Sequence, residues 1–387
     1  MTQMWALTFD RQREGWSSST GMVKEQVPLP SFEPTSEDRS QVIVKVNYAG
    51  FCGSDRGIWW RKSFGEMIAS SLDRDGTHRR VFGHELLGEI VQVGDRVPEK
   101  YGYKIGDIVS TESHIICGTC VQCRLGEHHV CANERIIGIS MDGCFAEYVK
   151  LPAKALWPTD LSRIRPEVAA IQEPFGNAVH ACQVTDLRGK SVAILGTGTI
   201  GLFAVLIARG MGAGRVIGIE PDPHHRKLAE QLGCDVVLAP RRPPADAPWQ
   251  ADDDLVAQVH DLTDGVGVDV AMEMAGHPSS TNNAIRMARR GGKVVLFGVR
   301  DGDAVIQDFQ RVVMNGLSLH GVVGRQIFQT WDLTRALLEQ HDNGIHDAIW
   351  SVILNGGRGT VTSIADWEAG AFESTIQAHP KAILRFS

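Results

Sequence analysis

The sequence has no apolar run that reaches the roughly 18 residues needed for a membrane-spanning helix. Its start, MTQMWALTFDRQREGW, lacks the basic flank and the apolar stretch of a secretory signal peptide. We therefore expect a cytoplasmic protein that does not bind a membrane. An excess of positive charge is also missing, since 39 lysines and arginines face 46 aspartates and glutamates for a net charge of −7. This balance gives no reason to expect nucleic acid as a partner.

Cysteine is scarce, with eight in 387 residues, yet four of them lie within CGTCVQCRLGEHHVC: Cys117, Cys120, Cys123 and Cys131. Thiols stay reduced in the cytosol, and two-residue gaps let several thiolates surround one tetrahedral ion, so the spacing favours a structural zinc site. An iron–sulfur cluster or a disulfide is the alternative. A bacterial ferredoxin run would continue with a three-residue gap and Cys-Pro, whereas this gap is seven and Ala132 follows. A closed site of four cysteines would fold a loop and leave no position for a substrate.

The pattern of apolar residues changes along the chain. From about 20 to 160, short apolar runs such as Val42–Val46 and Phe145–Val149 alternate with turn residues, which predicts a β-rich region. From about 190, near-continuous aliphatic strands alternate with helical patterns, which predicts an α/β part with a doubly wound parallel sheet. The Pro-rich stretch that starts at Arg241 and runs to Asp254 is interpreted as a solvated insertion.

A glycine pattern follows the first of these aliphatic strands, Ser191–Leu195. Gly196, Gly198 and Gly201 fit G-x-G-x-x-G, with Thr199 and Ile200 at the start of the next predicted helix. In this context the glycines allow a tight turn, a close approach to a pyrophosphate and packing of the helix on the strand. A chance glycine turn, or a site for flavin or another nucleotide, is the alternative to a nicotinamide dinucleotide.

The charge at the end of the second strand bears on the choice of cofactor. Glu220 lies nineteen residues after Gly201 and could accept hydrogen bonds from the adenosine ribose, while it would repel a 2′-phosphate. We therefore expect NAD rather than NADP. Arg226 on the following helix argues weakly the other way, because it could reach a phosphate.

A second group of metal-binding residue types lies outside the cysteine loop: Cys52, the pair His84 and Glu85, and Glu173. One thiolate, one imidazole and carboxylates are the donors of a catalytic zinc that keeps one position open. Each residue taken alone has an ordinary explanation, as a buried cysteine, a core histidine or a surface charge.

Together with the glycine pattern and the cysteine loop, these residues make the sequence similar to the zinc-dependent medium-chain dehydrogenases of the alcohol dehydrogenase type. Among these it most resembles the threonine and polyol dehydrogenase branch, in segments such as Glu173–His180 and Gly324–Trp331. The resemblance implies that Cys52, His84 and Glu173 bind the catalytic zinc, with Glu85 as a ligand or an exchangeable neighbour. It also implies that Ser54 begins a proton relay and that His114 lines the substrate pocket, although His114 could equally pack the cysteine lobe.

The resemblance further implies a GroES-like catalytic domain over 1–165, completed by 326–387, and a Rossmann dinucleotide-binding domain over 166–325. The expected reaction is NAD-dependent oxidation of a secondary alcohol to a ketone, with one catalytic and one structural zinc. In this family the loops at Gly298, Val323 and Arg325 approach the nicotinamide. The branch also leads us to expect a homotetramer or homodimer.

Two departures from the family pattern weaken the assignment of the substrate. The family's threonine and sorbitol dehydrogenases usually carry a histidine where this chain has Gly57, and glucose dehydrogenases of the superfamily lack it. The segment between Cys52 and His84 is longer than expected, with Trp59, Trp60, Arg61 and Lys62 near the presumed pocket mouth. The resemblance implies an activity like that of L-threonine 3-dehydrogenase, with a polyol, a sugar or another secondary alcohol as the alternative substrate. A zinc-free quinone reductase and a non-catalytic zinc- and nucleotide-binding module are the other hypotheses.

Overall fold

The structure is a computed structural model that describes residues 2–299 and 302–386. The chain forms two compact units. The first comprises Met1–Pro174, Gln326–Arg335 and Ile349–Ser387, and the second comprises Phe175–Arg325 and Ala336–Ala348. Within the described ranges, no helix combines the length and the apolar character that crossing a bilayer requires.

The strands, in chain order, are β1 (Gln3–Asp10), β2 (Val23–Pro28), β3 (Gln41–Phe51), β4 (Arg79–Val81), β5 (Glu85–Val93), β6 (Ile108–Thr111), β7 (His114–Ile115), β8 (Arg135–Ile136), β9 (Tyr148–Pro152), β10 (Leu156–Pro158), β11 (Ser191–Leu195), β12 (Arg215–Ile219), β13 (Val236–Leu238), β14 (Val268–Glu273), β15 (Ala288–Leu296), β16 (Ser318–Gly321), β17 (Val361–Ser363) and β18 (Ala382–Arg385).

The α-helices are α1 (Gly53–Trp59), α2 (Gly65–Asp75), α3 (Val97–Tyr101), α4 (Val121–Arg124), α5 (Pro166–Ala169), α6 (Gln172–Gln183), α7 (Thr199–Gly210), α8 (Pro223–Gln231), α9 (Asp253–Asp261), α10 (Pro278–Met287), α11 (Gln310–Met314), α12 (Gln329–Glu339), α13 (Ile345–Ala348) and α14 (Ala369–Ala378).

The first unit is β-rich, as predicted. Its largest sheet has the order β10-β6-β5-β3-β18-β17, and β9 pairs with β3 as well. A three-stranded sheet β2-β1-β4 and the short pair β7-β8 complete the unit. The apolar run Phe145–Val149 differs from the prediction, because the strand begins only at Tyr148 and Ala146 forms an isolated bridge with Ala6.

Aromatic side chains fill the core of the first unit. The Phe51 ring stacks on Phe145 and meets Phe372 edge to face. Trp59 is 1% exposed, packs against Phe51 and Phe372, and donates its indole N–H to the carboxylate of Glu373 at 3.0 Å. The sequence placed Trp59 near a pocket mouth, which is wrong for this residue, because the apolar ring is part of the core.

The second unit is built on a six-stranded parallel sheet of order β13-β12-β11-β14-β15-β16, which confirms the predicted doubly wound sheet. The order reverses between β11 and β14, and in such sheets ligands bind beyond the carboxyl ends of the strands at this reversal. The strands are short aliphatic runs buried on both faces, which is why the sequence located β11 and β12 to the residue.

The helices that cover this sheet begin at recognisable caps. The Asp222 carboxylate accepts hydrogen bonds from the first N–H groups of α8, where Pro223 takes the first helical position. Asp252 caps α9 in the same way. The helix α7 is apolar on nearly all sides and lies buried, because it connects two central strands.

Candidate functional site

Three of the predicted zinc-binding residues converge in the first unit. Cys52 immediately follows β3, while His84 and Glu85 stand at the start of β5, the neighbouring antiparallel strand. One donor atom from each side chain lies within 4.8 Å of the others. The pairing of these two strands is what brings residues more than thirty positions apart to one point.

The helix α1 fixes the surroundings of this group. Cys52 is the residue before its first turn, and the Asp55 carboxylate accepts a hydrogen bond from the Cys52 backbone N–H at 2.9 Å. Asp55 is fully buried, and its Oδ1 lies 3.7 Å from Nδ1 of His84. The Ser54 hydroxyl lies 3.2 Å from Nε2 of the same imidazole. The motif C-G-S-D therefore supplies one candidate ligand and two neighbours of the second.

The Asp55 carboxylate also dominates the electrostatics of His84. Burial by itself would lower the pKa of this imidazole, but the negative charge of Asp55, with contributions from Cys52 and Glu173, raises it to about 10. Acidic groups therefore cluster around a buried nitrogen base, and burial raises the pKa of Asp55 and of Glu85 as well. A cation bound there would satisfy the same charges.

Lys381 is a member of this site that the sequence did not reveal. Its ammonium is 1% exposed, donates to Oε1 of Glu85 at 2.5 Å and to the Phe51 carbonyl at 3.1 Å, and also pairs with Oε2 of Glu85. Gly50 makes room for the carboxylate, since a Cβ atom there would stand 1.8 Å from Oε2 of Glu85. No local pattern could have linked Glu85 and Lys381, which are 296 positions apart.

Glu173 and His114 are not members of this three-residue group. Glu173 lies in the first turn of α6 and is buried, and its Oε1 accepts a hydrogen bond from the Ser113 hydroxyl at 2.6 Å. The His114 imidazole contacts the Glu134 carboxylate at 2.7 Å and lines a cavity of about 140 Å³ with His128 and Phe328. His114 thus points toward the segment that follows the cysteine loop.

The four cysteines of the loop come together as predicted, and their sulfur atoms lie within 4.8 Å of one another. All eight cysteines of the chain are free thiols, which argues against the disulfide alternative. Hydrogen bonds from the Thr119 backbone N–H and hydroxyl, together with the Cys120 backbone N–H, lower the pKa of Cys117 to about 5. Burial raises the pKa of Cys123 to about 12. Hydrogen bonds within the loop thus stabilise the thiolate form of Cys117, one of the four clustered cysteines.

The glycine pattern opens α7 at the end of β11, as predicted. Gly196 has a φ of +92°, which favours glycine, and a Cβ atom on Gly201 would lie 1.9 Å from the Gly196 carbonyl oxygen. Gly198, in contrast, faces open space. Thr199 and Ile200 form the first turn of α7, whose backbone N–H groups favour an anion.

Glu220 stands where the prediction expected it, directly after β12, and lines a cavity of about 610 Å³ with Gly196 and Gly198. Its Oε2 accepts hydrogen bonds from the Thr197 backbone N–H at 2.8 Å and hydroxyl at 3.3 Å, and its Oε1 accepts from the Asp222 N–H at 2.9 Å. The Arg226 guanidinium donates to the Glu220 and Pro221 carbonyls at 3.0 and 2.7 Å.

The segment interpreted as a solvated insertion contributes to the same cavity. Arg241, Arg242 and Pro243 are among the residues that line it. Both arginines are exposed, in keeping with that interpretation, and they reach the wall of the cavity because β13 pairs with β12 and ends beside it. The dipeptide Arg-Arg within a proline-rich stretch was the available signal.

The three predicted nicotinamide-side residues lie in the second unit and differ in their surroundings. Gly298 follows β15, where a Cβ atom would be 2.1 Å from the Gly276 nitrogen. Val323 is 46% exposed. Arg325 is buried, and its guanidinium donates to the side-chain oxygen of Asn177 on α6 at 2.7 Å.

The chemistry of the two donor sets fits zinc. The four-cysteine set offers a closed tetrahedral site of the structural kind. The set of one thiolate, one imidazole and one carboxylate leaves a coordination position open, which is the catalytic kind. Asp55 lies beside the His84 imidazole, 3.7 Å from its Nδ1, on the side where an outer carboxylate commonly stands next to a metal-binding histidine.

Comparison with known proteins identifies the family. Residues 199–340 match the family described as zinc-binding dehydrogenase, and residues 38–161 match the alcohol dehydrogenase GroES-like domain. The chain is 36% identical to the L-threonine 3-dehydrogenase of Bacillus subtilis over 324 residues, which cover 83% of this chain and 85% of that protein. It is also 36% identical to the L-threonine 3-dehydrogenase of Pyrococcus horikoshii over 318 residues, 82% of this chain and 83% of that protein.

A solved structure agrees on the fold. The 2R,3R-butanediol dehydrogenase of Bacillus subtilis superposes with a TM-score of 0.76 at 23% identity, covering 99% of this chain and 100% of the other. These findings define a zinc-dependent dehydrogenase with a GroES-like and a Rossmann part. The chain belongs to the medium-chain zinc-binding dehydrogenases, in their threonine dehydrogenase branch. It is an enzyme that oxidises a secondary alcohol, with zinc and a nicotinamide dinucleotide as cofactors.

Proposed function

We propose that this enzyme oxidises the secondary hydroxyl of L-threonine to the ketone, with reduction of NAD and release of one proton. The observation that carries the proposal is the convergence of Cys52, His84 and Glu85 beside Ser54, in a chain that is 36% identical to an L-threonine 3-dehydrogenase over 324 aligned residues. The first unit would be the catalytic domain, and the second unit, with the glycine pattern, would bind the dinucleotide.

Cys52 and His84, with Glu85 or Glu173, would hold the catalytic zinc, and the four cysteines of the loop would hold the structural zinc. Bound at the first set, zinc supplies a Lewis acid that lowers the pKa of an alcohol. Ser54 is placed to begin a proton relay, in which its hydroxyl accepts the proton of the substrate hydroxyl while it passes its own proton outward to water, since this hydroxyl lies on the first turn of α1 beside the candidate ligands. Asp55 and Lys381 keep His84 and Glu85 in place.

NAD is the proposed oxidant, because Glu220 occupies the position from which a carboxylate meets the adenosine ribose. Gly196 and Gly201 allow the close turn, and the N-terminus of α7 would face the pyrophosphate. A cytoplasmic location belongs to the same proposal, since the thiols of the cysteine loop must stay reduced to bind metal.

A polyol or a sugar is the second candidate substrate, and Gly57 favours the sugar, because glucose dehydrogenases lack the histidine that threonine and sorbitol dehydrogenases usually carry there. A Cβ atom on Gly57 would stand 2.7 Å from the Ser63 hydroxyl oxygen, so a histidine at this position would require the Ser63 side chain to move. The residue at this position therefore differs from that branch, and Ser63 occupies the space next to it.

The deciding experiment is a screen of NAD reduction with L-threonine, sorbitol, glucose and simple secondary alcohols, compared by kcat/KM. We expect L-threonine to give the highest value. A higher value for sorbitol or glucose would replace threonine by that substrate and leave the reaction type intact. Absence of NAD reduction with every alcohol, in protein that contains two zinc ions per chain, would contradict the proposal itself.

We also propose that the enzyme is a homodimer or a homotetramer. The strand β16 is an edge of the parallel sheet, and edge strands offer unpaired backbone groups to another chain. Next to it in sequence, α11 buries none of its residues, and Phe309, Val313 and Met314 are all exposed. Exposed apolar groups of this kind mark interaction surfaces.

A further inference from the structure

The cavity at the carboxyl ends of β11 and β12 has charges of both signs on its wall. One part of the lining consists of Gly196, Gly198 and Glu220, and another consists of Arg241, Arg242 and His277. All these residues belong to the second unit. A dinucleotide seated against the glycines would present its adenosine to this wall, so the balance of charge there decides which adenosine it accepts.

The negative charge of Glu220 is already engaged by the protein. Three donors from Thr197 and Asp222 reach its two oxygens at 2.8 to 3.3 Å. Hydrogen bonds to an ionised carboxylate stabilise its charge where it stands. A phosphate near Glu220 would therefore meet a carboxylate whose field is partly compensated by these donors.

The two arginines differ in how they are held. The Arg241 guanidinium forms an ion pair with Asp254, and its backbone N–H donates to the Asp252 carboxylate at 2.7 Å. Arg242 is exposed, and among 2–299 and 302–386 no carboxylate lies within 4.0 Å of its guanidinium. Arg241 thus anchors the segment to α9 while the next residue keeps its charge available.

The backbone around Arg242 is stiff, since Pro240 precedes the two arginines and Pro243 and Pro244 follow them. A proline fixes its own φ and restricts the residue before it, so the segment loses little conformational entropy when a ligand binds. The planar guanidinium matches a phosphate with two parallel hydrogen bonds.

We propose that Arg242 makes this cavity accept a phosphate on the 2′-hydroxyl of the adenosine ribose, so that the enzyme uses NADP as well as NAD. The inference rests on the proposed function, because it assumes that the adenosine of a dinucleotide occupies this cavity. Arg242 would thus favour a cofactor with a 2′-phosphate, whereas the negative charge of Glu220 would disfavour it.

The test is isothermal titration of the full-length, zinc-loaded protein with 5′-AMP and with adenosine 2′,5′-bisphosphate, which differ only in the 2′-phosphate. We expect the bisphosphate to bind at least as tightly as 5′-AMP. The substitution Arg242→Ala should weaken binding of the bisphosphate by about tenfold or more, the scale of a lost charge-assisted hydrogen bond, and should affect 5′-AMP much less. NADP-dependent kcat/KM should fall in parallel.

Arg215→Ala is the matched control, because Arg215 is an exposed arginine of the same unit at the opposite end of β12. If Arg215→Ala and Arg242→Ala weakened binding of the bisphosphate equally, the effect would come from net charge alone, and the inference would be overturned. The inference would also be overturned if the unaltered protein bound the bisphosphate more than tenfold more weakly than 5′-AMP. If 5′-AMP binds normally in that case, the proposed function stands, whereas failure of both nucleotides and of NAD to bind would contradict the proposed function.

Discussion

Cys52 is the residue on which the proposed reaction depends most directly, because it is the one thiol among the three clustered donors. We expect Cys52→Ala to lower kcat/KM by about a hundredfold or more, since a Lewis acid contributes several kcal/mol to catalysis. The zinc content should fall from about two to about one per chain. Atomic emission measurement of zinc and a steady-state assay would test this.

The control is Cys182→Ala, which removes a buried thiol from the part of α6 that lies in the second unit. It should leave both the zinc content and turnover near those of the unaltered protein. Full alcohol oxidation in the Cys52 variant would refute the assignment of the catalytic zinc.

Lys381 and Glu85 form a buried ion pair, and breaking such a pair leaves one charge without compensation. We expect Lys381→Met to lower the free energy of unfolding by about 3–5 kcal/mol. The double variant Lys381→Met with Glu85→Gln should recover part of that loss, because the remaining amide carries no charge. Urea denaturation of the two variants measures the difference, and equal stability of both would show that the ion pair is not the cause.

The elements were predictable to different degrees, for physical reasons. The strands β11 and β12 were located to the residue, because both faces of a parallel sheet select aliphatic side chains. The glycine pattern and the cysteine loop were also identified, since each places its functional residues within a short span. The strand predicted over Phe145–Val149 begins too early, because an apolar run does not distinguish an isolated β-bridge from a continuously paired strand.

Parts of the site that depend on distant segments could not be predicted. Lys381 meets Glu85 only because β18 lies beside β3, and no periodicity encodes that contact. Trp59 was misplaced because a tryptophan serves equally well in a core or at a pocket rim. Arg242 was missed because its prolines and charges are also typical of a solvated loop.

The cysteine loop should act as a folding element that is separate from catalysis. We expect Cys123→Ser to remove one zinc per chain and to increase amide hydrogen exchange across Cys117–Cys131, since a structural zinc contributes its binding free energy to local folding. Exchange in the second unit should stay unchanged. Retention of both zinc ions in this variant would favour another role for the tetrad.

At the scale of the whole molecule, the exposed residues near β16 should determine assembly. We expect Met314→Glu to lower the molar mass measured by light scattering, because a charge buried in an interface lacks compensation. Val121→Glu is the control, since Val121 is similarly exposed but lies on the cysteine loop of the first unit. A monomeric unaltered protein, or dissociation by the control variant alone, would contradict the assembly proposal.

The position of β18 has a consequence for how the protein is made. This strand is interior to the main sheet of the first unit, between β3 and β17, yet Lys381 beside it meets Phe51 across 330 positions of sequence. During synthesis from the N-terminus, β3 therefore has no partner on the side of β18 until the whole second unit has left the ribosome. A nascent chain that ends before residue 381 would contain Glu85 without the ammonium group that pairs with it, so the surroundings of the three clustered donors are completed late in translation.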